Sequence, residues 1–231
     1  TDWHNMLAQL VVEEGAHIRH FVLQHNGAEN LLTKNTHVRV EGKGCYELFV
    51  LTAGSRLSRN QIHVDLMASE ASCYFNGINL LSDKQIGDTT ITIEHRAPGC
   101  LSKQNVRSVI DDQAVGTFQG KVHVHKIAQQ TDGYQLSNAL LLSPRATMNT
   151  KPELEIYADD VKCSHGATTG QIDDRALFYL MARGIPKIEA RSMLIEAFIS
   201  ELFTDLSDPS WCELVGSYVQ QPVQDFLNKR V

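Results

Sequence analysis

Between about Leu7 and Cys163, apolar and polar residues alternate in short runs that are separated by glycine, asparagine and aspartate. Alternation at every second position is typical of β-strands, because successive side chains of a strand point to opposite faces of its sheet. The clearest of these runs are His37–Val40, Tyr46–Val50, Ile62–Leu66, Thr90–Ile93, Lys121–Val124 and Leu154–Tyr157. This part of the chain is therefore predicted to be all β.

The predicted strands recur with a regular spacing. Comparable positions follow one another at intervals of about 26 to 32 residues, namely Val38, Val64, Ile91, Val122 and Leu154. A slowly drifting period of this size is typical of a solenoid with one coil per repeat. A β-sandwich also has many short strands, but it has no reason to keep a period. We therefore expect a parallel β-helix, in which each coil pairs with the next through backbone hydrogen bonds.

Near Gly170 the pattern changes from strands to helices. Asp173 can cap a first helix that ends at Arg183–Gly184, and Pro186 suits the first turn of a second helix. Helical spacing then connects the apolar residues Leu194, Ile195, Phe198, Ile199, Leu202 and Leu206. We predict two domains, a parallel β-helix core at residues 1–170 and a small α-helical domain at residues 171–231.

A third helix is expected to start at Asp208–Pro209. Its apolar residues predict a buried face made of Trp211, Leu214, Val215 and Tyr218. Pro222 should kink or end this helix, because proline lacks the backbone N–H that an internal helical position needs.

Composition limits the function classes. The formal net charge is −6 and no run rich in lysine or arginine occurs, which argues against nucleic acid or an anionic membrane surface as a partner. No apolar stretch is long enough to cross a bilayer. The five cysteines form no C-x-x-C pair, which is typical of free thiols in a reducing compartment. We expect a cytoplasmic protein.

Cys163 and His165 form the most interesting candidate site. They are two residues apart in an extended segment, so their side chains should point to the same side. A thiolate and an imidazole suit iron or an iron–sulfur intermediate, but two ligands leave a four-coordinate site incomplete. The pair makes sense as half of a site that another chain completes. The alternative is an ordinary cysteine and histidine where a strand meets a turn.

Two other groups of potential ligands have a simpler interpretation. His123 and His125 share one side of a predicted strand, but no glutamate follows within a few residues to complete a metal site of the cupin type. Cys45, Cys73 and Cys100 could occupy equivalent positions of three coils, either as a ladder of ligands or as small side chains that fill a narrow interior. We favour packing, because cysteine is among the most often buried residues.

The segment that contains Cys163 and His165 resembles the SufB/SufD family of iron–sulfur cluster assembly scaffold subunits. The similarity covers about Val12 to about Phe198 and is carried mainly by Phe118–Val122, Gln129–Asp132, Asn138–Ser143, Thr150–Thr168, Ala176–Leu180, Arg183–Pro186 and Glu189–Arg191. The resemblance implies a right-handed parallel β-helix flanked by helices. It also implies a non-enzymatic scaffold function, with no cofactor bound stably by the chain alone.

The resemblance further implies the partners. The β-helix would pair with a SufB-like subunit, and a transient iron–sulfur cluster or iron would sit at that interface with His165 and Cys163 as candidate ligands. The C-terminal helices would dock a SufC-like ATPase, through a region that includes Asp173, Phe178, Arg183, Gly184, Ile185 and Pro186.

Some questions stay open at the level of sequence. The family has a helical region before its β-helix, whereas this chain opens almost directly in strand-like sequence, so we expect a fragment. The tail after about Leu206 matches no family motif. A carbohydrate-active β-helix enzyme and a purely structural homodimer are the alternative functions.

Overall fold

The computed structural model describes residues 2–206 and 208–228, with no account of the Asp205 side chain. Twelve strands occupy the first three quarters of these residues: β1 (Trp3–Val12), β2 (His17–Asn26), β3 (Leu31–Val40), β4 (Cys45–Gly54), β5 (Leu57–Leu66), β6 (Ser72–Leu81), β7 (Ile86–His95), β8 (Leu101–Ile110), β9 (Val115–Val124), β10 (Thr131–Leu141), β11 (Thr147–Ile156) and β12 (Val161–Gly170).

The strands form two parallel sheets. Sheet A contains the odd-numbered strands in the order β1-β3-β5-β7-β9-β11, and sheet B contains the even-numbered strands from β2 to β12. The chain therefore alternates between the sheets, and each coil of the solenoid contributes one strand to each. Each strand from β3 to β10 pairs with the strands two before and two after it in the sequence, as a parallel β-solenoid requires. This architecture was predicted from the period and is confirmed.

The register shows which positions form the repeat. One column of paired residues, facing the interior, is Val38, Val64, Ile93, Val122 and Leu154. The sequence prediction placed Ile91 in this column, which is wrong by two residues: Ile91 pairs with Ile62 and Gly120. A shift of two residues keeps a side chain on the same face of the sheet. The predicted strand is therefore correct, although the predicted position in the column is not.

The predicted stacking of three cysteines is wrong. Cys45 pairs with Ser72, whereas Cys73 pairs with Tyr46 and Ser102. Cys100 precedes β8 rather than lying within it. Cys73 and Cys100 are fully buried in the interior cluster, in agreement with the packing interpretation. Cys45 lies on the opposite face of its strand from the buried Tyr46 and is half-buried.

Three helices follow the solenoid: α1 (Asp174–Ala182), α2 (Lys187–Ser200) and α3 (Pro209–Asn228), with a 3₁₀ turn at Glu201–Asp205. Asp173 caps α1 by accepting a hydrogen bond from the backbone N–H of Arg175. Pro186 is the N-cap of α2, one residue before the predicted first turn. Among the described residues, no helix has both the length and the apolar character that are needed to span a membrane.

Helices α2 and α3 and the 3₁₀ turn between them pack on the outer face of sheet B, whereas α1 contacts α2. Ile195, Ile199 and Leu202 join Phe49 and Leu51 of β4 in one buried cluster. The interior of the solenoid holds a separate cluster around Tyr46, Phe75 and Phe118. Sheet B is therefore buried on both faces, which explains why β4 reads as an almost continuous apolar run.

The buried face of α3 differs from the prediction. Trp211 and Val215 are buried as expected, but Leu214 and Tyr218 are 48% and 51% exposed. The buried face instead continues along the helix through Val219, Pro222, Val223, Phe226 and Leu227. The helix also runs through Pro222 to Asn228, so of the two expected effects of Pro222 the end of the helix is wrong, and the kink stays a prediction. The contact with sheet B decides which side of α3 is buried. The spacing of apolar residues along α3 was compatible with more than one buried face.

Candidate functional site

The last coil of the solenoid has two free strand edges. β11 and β12 are the terminal strands of sheets A and B, and each pairs on one side only, with β9 and β10 respectively. Within the part of the chain that the structure describes, no strand covers their other edges. A free edge exposes backbone N–H and C=O groups that can pair with another chain. This end of the solenoid is therefore suited to an interface.

Cys163 and His165 both lie on β12, on the face that continues the interior of the solenoid. Cys163 pairs with Gly133 and His165 pairs with Gln135, and both of these β10 residues are buried. Paired residues of a parallel sheet project to the same face. The thiol and the imidazole therefore lie at the open end of the solenoid interior. Cys163 is half-buried and His165 is exposed. The prediction that the two side chains point the same way agrees with this register.

The Cys163 thiol lies in a pocket made possible by a glycine. It packs with Val122 and Ala158 in a small buried cluster. A Cβ atom added to Gly133 would be 3.3 Å from the Cys163 Sγ atom, so a larger residue there would press on the sulfur. Burial raises the pKa of the Cys163 thiol, and this outweighs the lowering effect of the Gly133 backbone N–H. The sulfur is thus protonated at neutral pH until a metal or a base displaces the proton.

Two buried glutamines lie beneath His165 in the same column of the sheet. The column runs from Phe75 through Gln104 and Gln135 to His165. The Gln135 Nε2 atom donates a hydrogen bond to Gln104 Oε1 over 3.3 Å. The Gln104 Nε2 and Gln135 Oε1 atoms are buried without a hydrogen-bond partner. Unpaired buried polar atoms are uncommon, and here they make the surroundings of His165 on the interior side polar.

Cys163 and His165 do not form a complete metal site by themselves. Among the described residues, the groups in which three potential ligand atoms converge are His17, Cys45 and Glu47, and Glu94, His123 and His125. Neither group contains Cys163 or His165. The thiol and the imidazole are one soft and one borderline donor group, and both lie at the open end of the solenoid.

The predicted docking region lies around α1 and the turn into α2. Phe178 is 73% exposed, and the Arg183 guanidinium stacks on the ring of Tyr179 at 4.7 Å. Gly184 ends α1 with a φ of 88°, a left-handed conformation that favours glycine. Ile185 is half-buried.

His123 and His125 share a carboxylate partner that comes from another coil. Glu94 Oε2 is 2.7 Å from both His123 Nδ1 and His125 Nε2. Glu94 belongs to the preceding coil and pairs with His123 in the sheet A register. The residues that surround the histidines in the sequence do not indicate this contact, because Glu94 lies 29 residues before His123. The contact could have been predicted from the coil period, because one period before His123 lies Glu94.

Comparison with known proteins gives the family. Residues 1–198 match the family model described as "SUF system FeS cluster assembly, SufBD core domain". The chain is 35% identical over 198 residues to the iron–sulfur cluster assembly protein SufD of Escherichia coli, covering 85% of this chain and 47% of that protein. It is 38% identical over 205 residues to the chloroplastic protein ABCI7 of Arabidopsis thaliana, covering 87% of this chain and 42% of that protein.

A third relative extends the comparison to cyanobacteria. The iron–sulfur cluster assembly SufBD family protein slr0076 of Synechocystis is 33% identical over 204 residues, covering 88% of this chain and 45% of that protein. The chain thus spans less than half the length of each of these three curated relatives. The region that matches the family model includes the whole solenoid and most of α2. The chain therefore belongs to the SufBD family of iron–sulfur cluster assembly proteins.

Proposed function

We propose that this chain is a non-catalytic scaffold subunit whose last coil supplies Cys163 and His165 to an iron–sulfur cluster site that a second chain completes. One observation carries the proposal. The thiol and the imidazole face the open end of the solenoid on β12, a strand whose outer edge is unpaired among the residues that the structure describes. An incomplete ligand set at an uncovered edge is what a shared site requires. Family membership favours this function over a carbohydrate-active enzyme.

The second chain is proposed to be a SufB-like subunit that pairs along β11 and β12. The unpaired backbone groups of these strands offer main-chain hydrogen bonds to an added strand. The register of such pairing would bring the partner's residues next to Cys163 and His165. An iron–sulfur cluster or iron is then the cargo of the interface and is held only transiently by this chain.

The helical region is proposed to bind a SufC-like ATPase. Five apolar side chains of α1 and α2 are between 41% and 73% exposed, namely Phe178, Tyr179, Met181, Ile188 and Met193. Helices α1 and α2 contact each other, and exposed apolar residues on adjoining helices are suited to a protein interface. Asp173, Gly184 and Pro186 shape the caps and the turn that hold this surface in place, rather than contributing apolar contact themselves.

A reducing compartment suits this function. All five cysteines are free in the structure, and free thiols persist where glutathione and thioredoxin keep them reduced. We therefore place this chain's function in a cytoplasm-like environment.

The test is cluster reconstitution on complexes with SufB-like and SufC-like partners. We expect His165→Ala to reduce the cluster content by at least about tenfold, because even outer-shell changes cost about that much at metal sites. Cys163→Ser should give a comparable loss. Ser164→Ala is the matched control, because Ser164 is exposed on the same strand and faces the other way. Normal cluster content in both His165→Ala and Cys163→Ser complexes would refute the ligand role.

A structural homodimer is the second candidate, because the free edges of β11 and β12 can also accept a second copy of this chain. Analytical ultracentrifugation distinguishes the two functions. A monomer, or a weak dimer that dissociates when the SufB-like partner is added, supports the scaffold proposal. A tight self-dimer that excludes the partner favours the homodimer.

A further inference from the structure

The outer face of sheet A carries a cluster of three potential metal ligands, whereas Cys163 and His165 lie on the interior side of sheet B. Glu94 is on β7, His123 is on β9, and His125 directly follows β9. Their ligand atoms all lie within 4.8 Å of one another. The side chains of Glu94, His123 and His125 are 12%, 22% and 32% exposed. The cluster is thus shielded by the protein on most sides while staying accessible to a small ion.

The fold holds the three residues in place without help from a ligand. Glu94 and His123 are direct neighbours in the parallel register of β7 and β9. His125 is two positions beyond His123, and the two imidazole rings lie 4.4 Å apart. The edge of the Tyr157 ring packs against His123 at 5.5 Å. Because adjacent coils are joined by backbone hydrogen bonds along the whole strand, the convergence is preorganised.

Both histidines direct a ring nitrogen at the same carboxylate oxygen. His123 Nδ1 and His125 Nε2 each lie 2.7 Å from Glu94 Oε2. Burial alone would raise the pKa of Glu94, but the hydrogen bonds from His125 and His123 outweigh it, and the pKa is lowered. The carboxylate is therefore ionised at neutral pH. Ligand atoms around a tetrahedral zinc lie roughly 3.3 Å apart, since each bond is about 2.0–2.2 Å, so small side-chain rotations would admit an ion.

Arg96 is the feature that opposes a cation here. Its guanidinium lies 3.4 Å from His125 Nε2 and 3.8 Å from Glu94 Oε2. Arg96 is also held by Asp65, whose Oδ1 atom accepts a hydrogen bond from Arg96 Nε over 2.6 Å. The positive charge lowers the affinity for a divalent ion, and Asp65 partly offsets it. Without a metal, the same residues would form an ion-pair network on the surface of the sheet.

We propose that Glu94, His123 and His125 bind one divalent transition metal ion of the zinc and ferrous-iron class, which links the coil of β7 to the coil of β9. Two imidazoles and one carboxylate are borderline ligands that suit these ions. The metal would take the place of the protons that the two rings now donate to Glu94, and water would complete its coordination. The site is independent of the cluster-assembly function.

The test is titration of the chelator-treated chain with Zn²⁺ and, as a spectroscopic probe, Co²⁺. We expect one ion per chain, d–d absorption bands of nitrogen- and oxygen-bound cobalt, and a higher Tm with metal. His123→Ala, His125→Ala and Glu94→Gln should each weaken binding by about tenfold or more. His63→Ala is the matched control, because His63 contacts Asp65 on the same face of sheet A but is not a ligand.

Arg96→Gln separates a metal site from an ion-pair network. Removing the guanidinium should tighten metal binding, whereas a network without metal only loses an ion pair. The other group of three potential ligands contains His17, Cys45 and Glu47. Measurements in a Cys45→Ser background exclude this group as the source of the metal binding. Titrations in which the wild type and Arg96→Gln bind neither ion, or in which His123→Ala and His125→Ala bind as tightly as the wild type, would overturn the proposal. The Arg96→Gln result decides the matter even where a ligand variant fails to fold.

Discussion

At the scale of single residues, polar side chains inside the solenoid depend on partners from neighbouring coils. His95 is fully buried, with its Nε2 atom 2.8 Å from the Ser102 hydroxyl and its Nδ1 atom 3.5 Å from that of Thr131. Burial lowers the pKa of His95 from 6.5 to about 4, and the nearby charge of Glu94 offsets only part of this effect. A neutral histidine is thus built into the core.

This burial predicts a loss of stability in acid. Above pH 6.5 His95 is neutral in both the folded and the unfolded chain, so it adds no pH dependence. As the pH falls from 6.5 to about 4, the unfolded chain takes up a proton that the folded chain resists. The free energy of unfolding should fall by up to about 3 kcal/mol over this window. His95→Asn should reduce this slope in urea unfolding measured at both ends of the window.

Ser102→Ala is the control for the His95 prediction. It removes a hydrogen-bond partner but keeps the titrating ring, so it should lower stability at both ends of the window and preserve a steep slope. A slope in His95→Asn as steep as that of the wild type would show that other groups cause the acid sensitivity.

At the scale of elements, α3 is held by one face against sheet B. Trp211 is 4% exposed and belongs to the buried cluster that includes Phe49 and Leu51 of β4. Arg19 of β2 adds a polar contact, a 2.6 Å ion pair with Asp208 at the start of α3. Asp208 also accepts hydrogen bonds from the backbone N–H groups of Ser210 and Trp211, which caps the helix. Docking and capping together hold α3 against sheet B, and Pro222 is part of its buried face.

Two substitutions in α3 should differ sharply. Trp211→Ala should lower the free energy of unfolding by about 3–5 kcal/mol, because it leaves a cavity between helix and sheet. Leu214→Ala should change it by less than about 0.5 kcal/mol, since Leu214 is 48% exposed. Urea unfolding followed by circular dichroism measures both. Equal losses in the two variants would mean that α3 does not pack on sheet B through this face.

At the scale of the whole molecule, the solenoid has a middle and two ends. In the described part of the chain, strands β3 to β10 have a paired neighbour on both sides, whereas β1, β2, β11 and β12 have one on a single side. In an array of this kind each coil is stabilised mainly by its direct neighbours. The candidate ligands Cys163 and His165 therefore lie on one of the less supported strands.

Hydrogen exchange should show this gradient. We expect backbone amides of β5 to β8 to exchange most slowly and those of β12 to exchange much faster, because local opening costs less at an end. Adding a SufB-like partner should slow exchange in β11 and β12 and leave β5 to β8 unchanged. Mass spectrometry of the chain alone and in complex measures both effects. Protection that is uniform along the chain, or unchanged in β12 on binding, would contradict the prediction.

The local features of this protein follow from the pattern of its amino acids. Alternating residues predicted the strands, the drifting period predicted coils stacked in parallel, and the change of pattern near Gly170 predicted the helices. The spacing of Cys163 and His165 was enough to place them on one face. Each of these conclusions depends on backbone geometry within a strand or a helix, which short-range periodicity encodes.

The tertiary structure alone decided everything that depends on contacts between distant residues. It set the register that places Ile93 rather than Ile91 beside Val64, and it showed that Cys45 does not stack on the other cysteines. It also brought Glu94 to His123 and chose the buried side of α3. These outcomes depend on the lengths of the turns and on packing between coils, and a shift of two residues leaves the local pattern the same.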